Sequence, residues 1–191
     1  MSPSSTTEAF ITQGEWNEHT RTHPVVNFFE KYNNFFNTSS QSPAAIAEWF
    51  SPDYCYQGQD GKRIKGRNKA WDELREKFKA FKARANHAVF AITVPWESDK
   101  SDGKKRWLLM ALAEAYLELA DGGSGGQSKV KDREGKEWDF GQTQAYRIIV
   151  VEDTHAKHDG FVIESVEIYG DRLEIFQGMK ARGLIKESCC D

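Results

Sequence analysis

The chain has 191 residues and a net charge of −3, from 26 basic and 29 acidic side chains. That length suits a single domain, and that balance offers no field to draw a polyanion, so nucleic acid is not an expected partner. No apolar run approaches the roughly 18 residues of a membrane span, and the opening Met-Ser-Pro-Ser-Ser-Thr-Thr-Glu has neither a basic start nor an apolar stretch. No membrane partner and a cytoplasmic location are therefore expected.

Residues 1–21 are polar and are expected to be a disordered tail, followed by one domain over 22–183 and a flexible tail over 184–191. A first helix is predicted from Pro24 to Asn37, with Pro24 in the first turn and an apolar face of Val25, Phe28, Phe29, Tyr32, Phe35 and Phe36. Ser42-Pro43 is an N-cap and first-turn pair for a short helix through Phe50. Asp53–Gln57 alternates as a strand, Arg63-Ile64-Lys65 is a short arm, and residues 67–82 read as a third, amphipathic helix with Trp71, Leu74, Phe78 and Phe81 buried. Four long strands are predicted at His87–Trp96, Arg106–Leu119, Trp138–Val151 and Phe161–Tyr169. A last helix is expected over Leu173–Lys180. The Gly- and Ser-rich segment 121–137 reads as a long hairpin loop. Arg106–Leu119 is apolar on both faces: Leu108, Met110 and Leu112 on one, Leu109, Ala111, Ala113 and Ala115 on the other. Helices would cover one face and a second copy of the chain the other, which predicts a homodimer.

Aromatic residues make up 13% of the chain against 39% apolar residues in all. Rigid rings suit the walls of a cavity, and they equally suit an ordinary aromatic-rich core. The three cysteines, Cys55 and the adjacent Cys189–Cys190, form no disulfide framework. The five histidines never make a close helical pair, and no Gly-rich loop joins a strand to a helix, so neither a metal nor a nucleotide cofactor is expected.

The order of helix, helix, strand, helix and then long strands resembles the nuclear-transport-factor-2-like superfamily, in its SnoaL-like and scytalone-dehydratase-like branch. The residues that carry the resemblance are Ala47–Tyr54, Gly66-Arg67-Asn68, Asn86-His87 and Asp159–Asp171. It implies an α+β, cone-shaped fold, with a curved, mainly antiparallel sheet wrapped on three N-terminal helices and a short C-terminal helix. It also implies a cofactor-independent isomerase, cyclase or dehydratase acting on a small apolar, carbonyl-bearing natural product, or else a non-catalytic ligand-binding or adaptor module. Asn86-His87-Ala88-Val89 is similar to the strand start that carries the catalytic histidine of scytalone dehydratase, and Tyr32 is similar to the first-helix oxyanion donor of ketosteroid isomerase. The general base of that isomerase would fall near Gln57 or Gly58, and its second acid near Tyr146, none of them a carboxylate.

The candidate catalytic residues are His87, Glu167, Asp171 and Tyr32. An imidazole titrates near neutral pH and can give and take a proton, but His87 can also be a structural histidine bonded to backbone. Asp171 ends a strand and either assists His87 or caps the last helix, since Asp171-Arg172-Leu173-Glu174 has capping-box spacing. Counting by twos puts Glu167 on the face of Ile163, Ser165 and Tyr169. That face is expected to line the cavity, and otherwise meets solvent or a partner; Glu114 poses the same question. Substrate-binding candidates are Tyr54, Tyr56, Trp71, Phe78, Met110, Glu114, Gln144, Tyr146 and Tyr169, together with Gln142; each is either pocket wall or ordinary core.

Overall fold

The computed structural model describes residues 8–37, 42–98, 100–120, 129–171 and 173–184. Cys189, Cys190 and the Gly-rich 122–126 lie outside them. Helix α1 spans Pro24–Asn37, as the apolar spacing requires, and buries Val25, Phe28, Phe29 and Tyr32. Helix α2 (Pro43–Trp49) starts where Ser42 accepts a bond from the Ala45 N–H at 3.1 Å. Helix α3 (Arg67–Phe78) follows Gly66, whose φ of 92° only glycine adopts without strain. Arg67 ties the two together, its Nη1 donating to the Ala47 and Phe50 carbonyls, both at 3.1 Å. The C-terminal helix α4 covers Leu173–Ala181. None of the described helices is long and apolar enough to cross a membrane.

The main sheet has seven strands: β1 (Phe10–Gln13), β2 (Phe50–Gln57), β3 (Arg63–Lys65), β4 (Phe81–Trp96), β5 (Arg106–Leu119), β8 (Phe140–Glu152) and β9 (Phe161–Tyr169). Their order is β1-β4-β5-β8-β9-β2-β3, antiparallel throughout except for the parallel β2–β9 pair. Strands β6 (Val130–Lys131) and β7 (Glu137–Trp138) form a separate small hairpin. The architecture is thus α+β, with three N-terminal helices, a mainly antiparallel sheet and a short C-terminal helix.

Three expectations need correction. Residues 10–13, expected in a disordered tail, form edge strand β1 on β4; with only Phe10 and Thr12 facing the core, its apolar pattern is too short to stand out. The third helix ends at Phe78 rather than 82, and Phe81 already belongs to β4. Glu137–Trp138 pairs with Val130–Lys131 instead of starting the long strand.

One face of the sheet, the inner face, packs on the helices and carries Ala91, Thr93, Leu109, Ile148, Val150, Ile163 and Val166. The opposite, outer face exposes Met110 (50%) and Leu112 (39%). Two β-bulges control which side chains reach the inner face. In β4, Ala88 pairs with Ala113 and Phe90 with Leu112, so Val89 is an extra residue. Its carbonyl accepts the Gly14 N–H at 2.8 Å. In β9, Ser165 pairs with Ile149 and Ile163 with Val150, so Glu164 is extra. That carboxylate is held by the buried Arg106 at 3.0 Å, which also bonds Asp102 at 2.6 Å. Each bulge reverses the in–out alternation of its strand.

Candidate functional site

Between the inner face and the helices lies a cavity of about 700 Å³. Small side chains make it: Ala88, Ala111, Ala113 and Ala115 occupy adjacent inward positions of β4 and β5. A Leu or Phe there would fill the space between sheet and α1; alanine cannot reach. Rings close the other sides, with Phe29, Tyr32 and Phe36 from α1, Tyr54 and Tyr56 from β2, and Phe78 from α3. Phe176 and Met179 of α4 complete the wall. Helix α4 is fixed there because Gly178 packs on Phe140 so closely that an added Cβ would lie 2.2 Å from Cζ, and because Arg182 meets Asp139 at 3.5 Å.

The polar groups of the cavity are few. The Tyr32 hydroxyl makes no hydrogen bond among the described residues, and burial pushes its pKa well up, so it stays a protonated donor. Burial does the same for Tyr146, whose hydroxyl bonds the Gln144 Oε1 and lies 3.4 Å from the Asn86 Oδ1. Both amide atoms of Gln142 are buried without a partner. Arg84 packs into the corner that the Phe36 and Phe78 rings make by meeting edge-on, its Cζ 4.5 and 3.9 Å from their centroids, and its Nε and Nη2 donate to the Phe36 carbonyl at 3.1 and 2.8 Å. Burial pushes its pKa down to about 10. The acidic side chains that border the cavity are each paired: Glu73 with Lys62, Glu76 with Lys79 and Asp60 with Lys77.

Of the residues singled out from sequence, Tyr32, Tyr54, Tyr56, Phe78, Gln142, Gln144 and Tyr146 line this cavity. His87, Glu167, Glu114, Met110 and Tyr169 do not; they are on the outer face. The expectation that Glu167 faces inward fails because the extra residue Glu164 turns Val166 and Ile168 inward instead. For the same reason Val89 sends Asn86, not His87, into the cavity. His87 packs edge-on to Tyr116, and its Nε2 is buried without a partner, so the alternative of a backbone-tied histidine is not what is found either. Glu167 pairs with Arg147 at 2.9 Å and accepts from the Tyr169 hydroxyl at 2.7 Å. Glu114 pairs with Arg133 at 2.9 Å. Asp171 accepts the Leu173 N–H at 2.8 Å, the helix-capping alternative. Trp71 belongs to the packed core and does not border the cavity. The residues missed were Arg84 and Asn86. The signal for Asn86 was the Ala-x-Ala-x-Ala run of β5, because it pairs with the inward Ala115; Arg84 pairs with Leu117, the next inward position of the same strand.

Chemically, the cavity offers donors and an apolar envelope. Tyr32 and Arg84 can hydrogen-bond an oxygen on a bound molecule, and the rings can clamp a flat or polycyclic skeleton. Among the described residues no group of three or more His, Cys, Asp or Glu side chains is placed to hold a metal ion.

No protein-family model and no curated protein matches the sequence. Solved structures do. The Kfla4162 protein from Kribbella flavida aligns with a TM-score of 0.53 at 15% identity, over 81% of this chain and 93% of its own. A protein from Xanthomonas campestris described as a calcium/calmodulin dependent protein kinase II association domain gives 0.54 at 10% identity, over 84% and 95%. A protein from Novosphingobium aromaticivorans described as a scytalone dehydratase gives 0.50 at 13% identity, over 80% and 85%. At such identities the likeness concerns the fold, and a fold that serves both a dehydratase and an association domain does not choose between them. With its helix order, sheet topology and these structural matches together, the chain has the nuclear-transport-factor-2-like fold.

Proposed function

We propose that the chain binds an apolar, carbonyl-bearing small molecule of the polyketide or terpenoid type in this cavity and promotes its isomerisation or ring closure without a cofactor. The observation that carries the reading is the cavity, with space for such a molecule and a buried tyrosine donor facing it without a protein acceptor. A donor kept protonated in a dry site stabilises an oxyanion as it develops on the ligand, and the walls hold the reacting atoms together. Dehydration by a histidine–carboxylate pair has less support, because His87 and Glu167 are on the other face.

A second reading is a ligand carrier. It is favoured by one observation: among the described residues the cavity has no imidazole, and its bordering carboxylates are all engaged by lysines. Purified protein, a panel of polyketide and terpenoid enones and polyketones, titration calorimetry and product analysis separate the two. Turnover that Tyr32→Phe abolishes while affinity stays within about tenfold identifies an enzyme. Tight binding without turnover identifies a carrier. Binding unaffected by filling the cavity with Ala113→Trp overturns both.

The homodimer also enters as a proposal. Ile11, Ile92 and Met110 form one cross-strand row on the outer face that continues into Arg147 and Glu167. A twofold copy centred on Ile92 would set Ile92 against the partner's Ile92 and Ile11 against the partner's Met110, apolar to apolar.

A further inference from the structure

The charges around the cavity do not cancel. Glu73, Glu76 and Asp60 each have a lysine within 3.3 Å. Arg84 has no such partner: its polar contacts are the two bonds to the Phe36 carbonyl, and no carboxylate among the described residues lies within ion-pair distance. Its Nη1 makes no bond to the protein among those residues. The Phe36 carbonyl belongs to the last turn of α1, which contributes a partial negative charge only. The guanidinium rests in the corner between the Phe36 and Phe78 rings, which meet edge-on with centroids 5.5 Å apart, and they shield it from water on two sides without neutralising it. A partly buried cation held against aromatic rings ordinarily has a counter-ion, because withdrawing it from water without one is costly.

We propose that the ligand supplies it: the molecule this cavity takes is an apolar carboxylic acid, received as the carboxylate by Arg84 with the Tyr32 hydroxyl as a second donor. The inference deepens the proposed function by naming the substrate class and rests on the cavity being the binding site. Three observations converge on it. The guanidinium borders the cavity and keeps free donors. Tyr32 is close enough for each of the two groups to influence the other's ionisation, and its hydroxyl also lacks an acceptor among the described residues. Most of the apolar lining is alanine, aliphatic and aromatic carbon, which suits the apolar body of such an acid. Arginine presents a planar fork that matches a carboxylate, and here one edge is already used by the Phe36 carbonyl, leaving the other for the ligand.

The competing account is that Arg84 only caps the end of α1. Binding of 2-naphthoate, abietate and cis-parinarate, each beside its methyl ester, to the full chain separates the two, using the wild type, Arg84→Met and Arg84→Lys. The inference expects at least one acid to bind about ten- to a hundred-fold more tightly than its ester, as a charge-assisted bond in a dry site allows. It expects Arg84→Met to weaken the acid at least about tenfold more than its ester, so that the preference is lost, and Arg84→Lys to restore part of it. Equal binding of acids and esters by the wild type overturns the acid assignment and leaves the cavity reading intact. Equal weakening of acid and ester in Arg84→Met, together with a lower Tm, assigns Arg84 to capping and also overturns it. If none of the six compounds binds, the cavity reading falls and this one with it.

Discussion

The two faces of strands β4, β5 and β9 were built from neighbouring residues and do opposite things. Inward, Ala88, Ala111, Ala113 and Ala115 are too small to fill the space under the helices, and the polar groups left there, Tyr32, Arg84 and Gln142, have donors or acceptors to spare. Outward, the candidate carboxylates are engaged with their neighbours, Glu167 with Arg147 and Tyr169 and Glu114 with Arg133 and Tyr116, and His87 packs on the Tyr116 ring. Titratable residues that satisfy each other hold a surface together. Polar groups left unsatisfied around a void have something still to bind. One inserted residue per strand, Val89 and Glu164, decides which set faces which side.

The largest expected effect breaks the comparison by filling the inner face. Ala113→Trp should abolish binding of a cavity ligand, by more than about a hundred-fold, with the fold kept, because an indole occupies the void. The outer-face counterpart His87→Ala should change affinity by less than about threefold; calorimetry on both variants checks this. Next comes the outer apolar row. Met110→Glu with Leu112→Glu should weaken self-association by about a hundred-fold while ligand binding persists, as sedimentation analysis would detect, since each residue loses about 1.5–3 kcal/mol of burial. Tyr32→Phe should then cost up to about tenfold in affinity, the worth of one hydrogen bond in a buried site.

Two smaller effects concern what positions the faces. His23 sits between Phe10 and Trp107 at the start of α1, with both ring nitrogens buried and unpartnered, and burial pushes its pKa down. Its protonation therefore favours the unfolded chain. Stability should be fully present above the ordinary histidine value near 6.5 and should fall as pH drops below it towards the depressed folded value, by at most about 1.4 kcal/mol per pH unit. In denaturant titrations at pH 7.5 and 5.5, His23→Phe should remove that part of the dependence. Asp171→Ala should lose about 1 kcal/mol, the usual worth of an N-terminal cap, without altering ligand affinity beyond the loosening of α4.

Much of this was legible in the sequence where a pattern ran long enough to repeat. Helix Pro24–Asn37 and strands Arg106–Leu119 and Phe161–Tyr169 have the predicted bounds because their periodicities extend over nine or more residues. Strand β1 and the β6–β7 hairpin were not legible, since two to four residues carry too little alternation. The site was only half legible. Tyr32, Gln144 and Tyr146 stand on uninterrupted elements, and Tyr54 and Tyr56 keep a spacing of two although the register of β2 on β9 shifts between Phe50 and Cys55, so their faces followed from spacing. His87 and Glu167 lie beyond a bulge from the apolar positions that set their phase, and no local residue signature marks Val89 or Glu164 as extra. What holds Glu164 out of register is Arg106, far away in sequence. Arg84 escaped notice because an arginine at a strand start reads as a solvated charge until the rings of Phe36 and Phe78 are seen around it.

The most direct test labels the alanine and methionine methyl groups with carbon-13 and follows them while an apolar ligand such as abietate is titrated in. Methyls of Ala88, Ala111, Ala113 and Ala115 report the inner face, and those of Ala145 and Met110 report the outer. The account predicts large, saturable shifts at the four inner alanines, with Ala145 and Met110 nearly unmoved. Saturable shifts at Ala145 and Met110 with the inner alanines silent would contradict it and place the binding site on the face of His87 and Glu167.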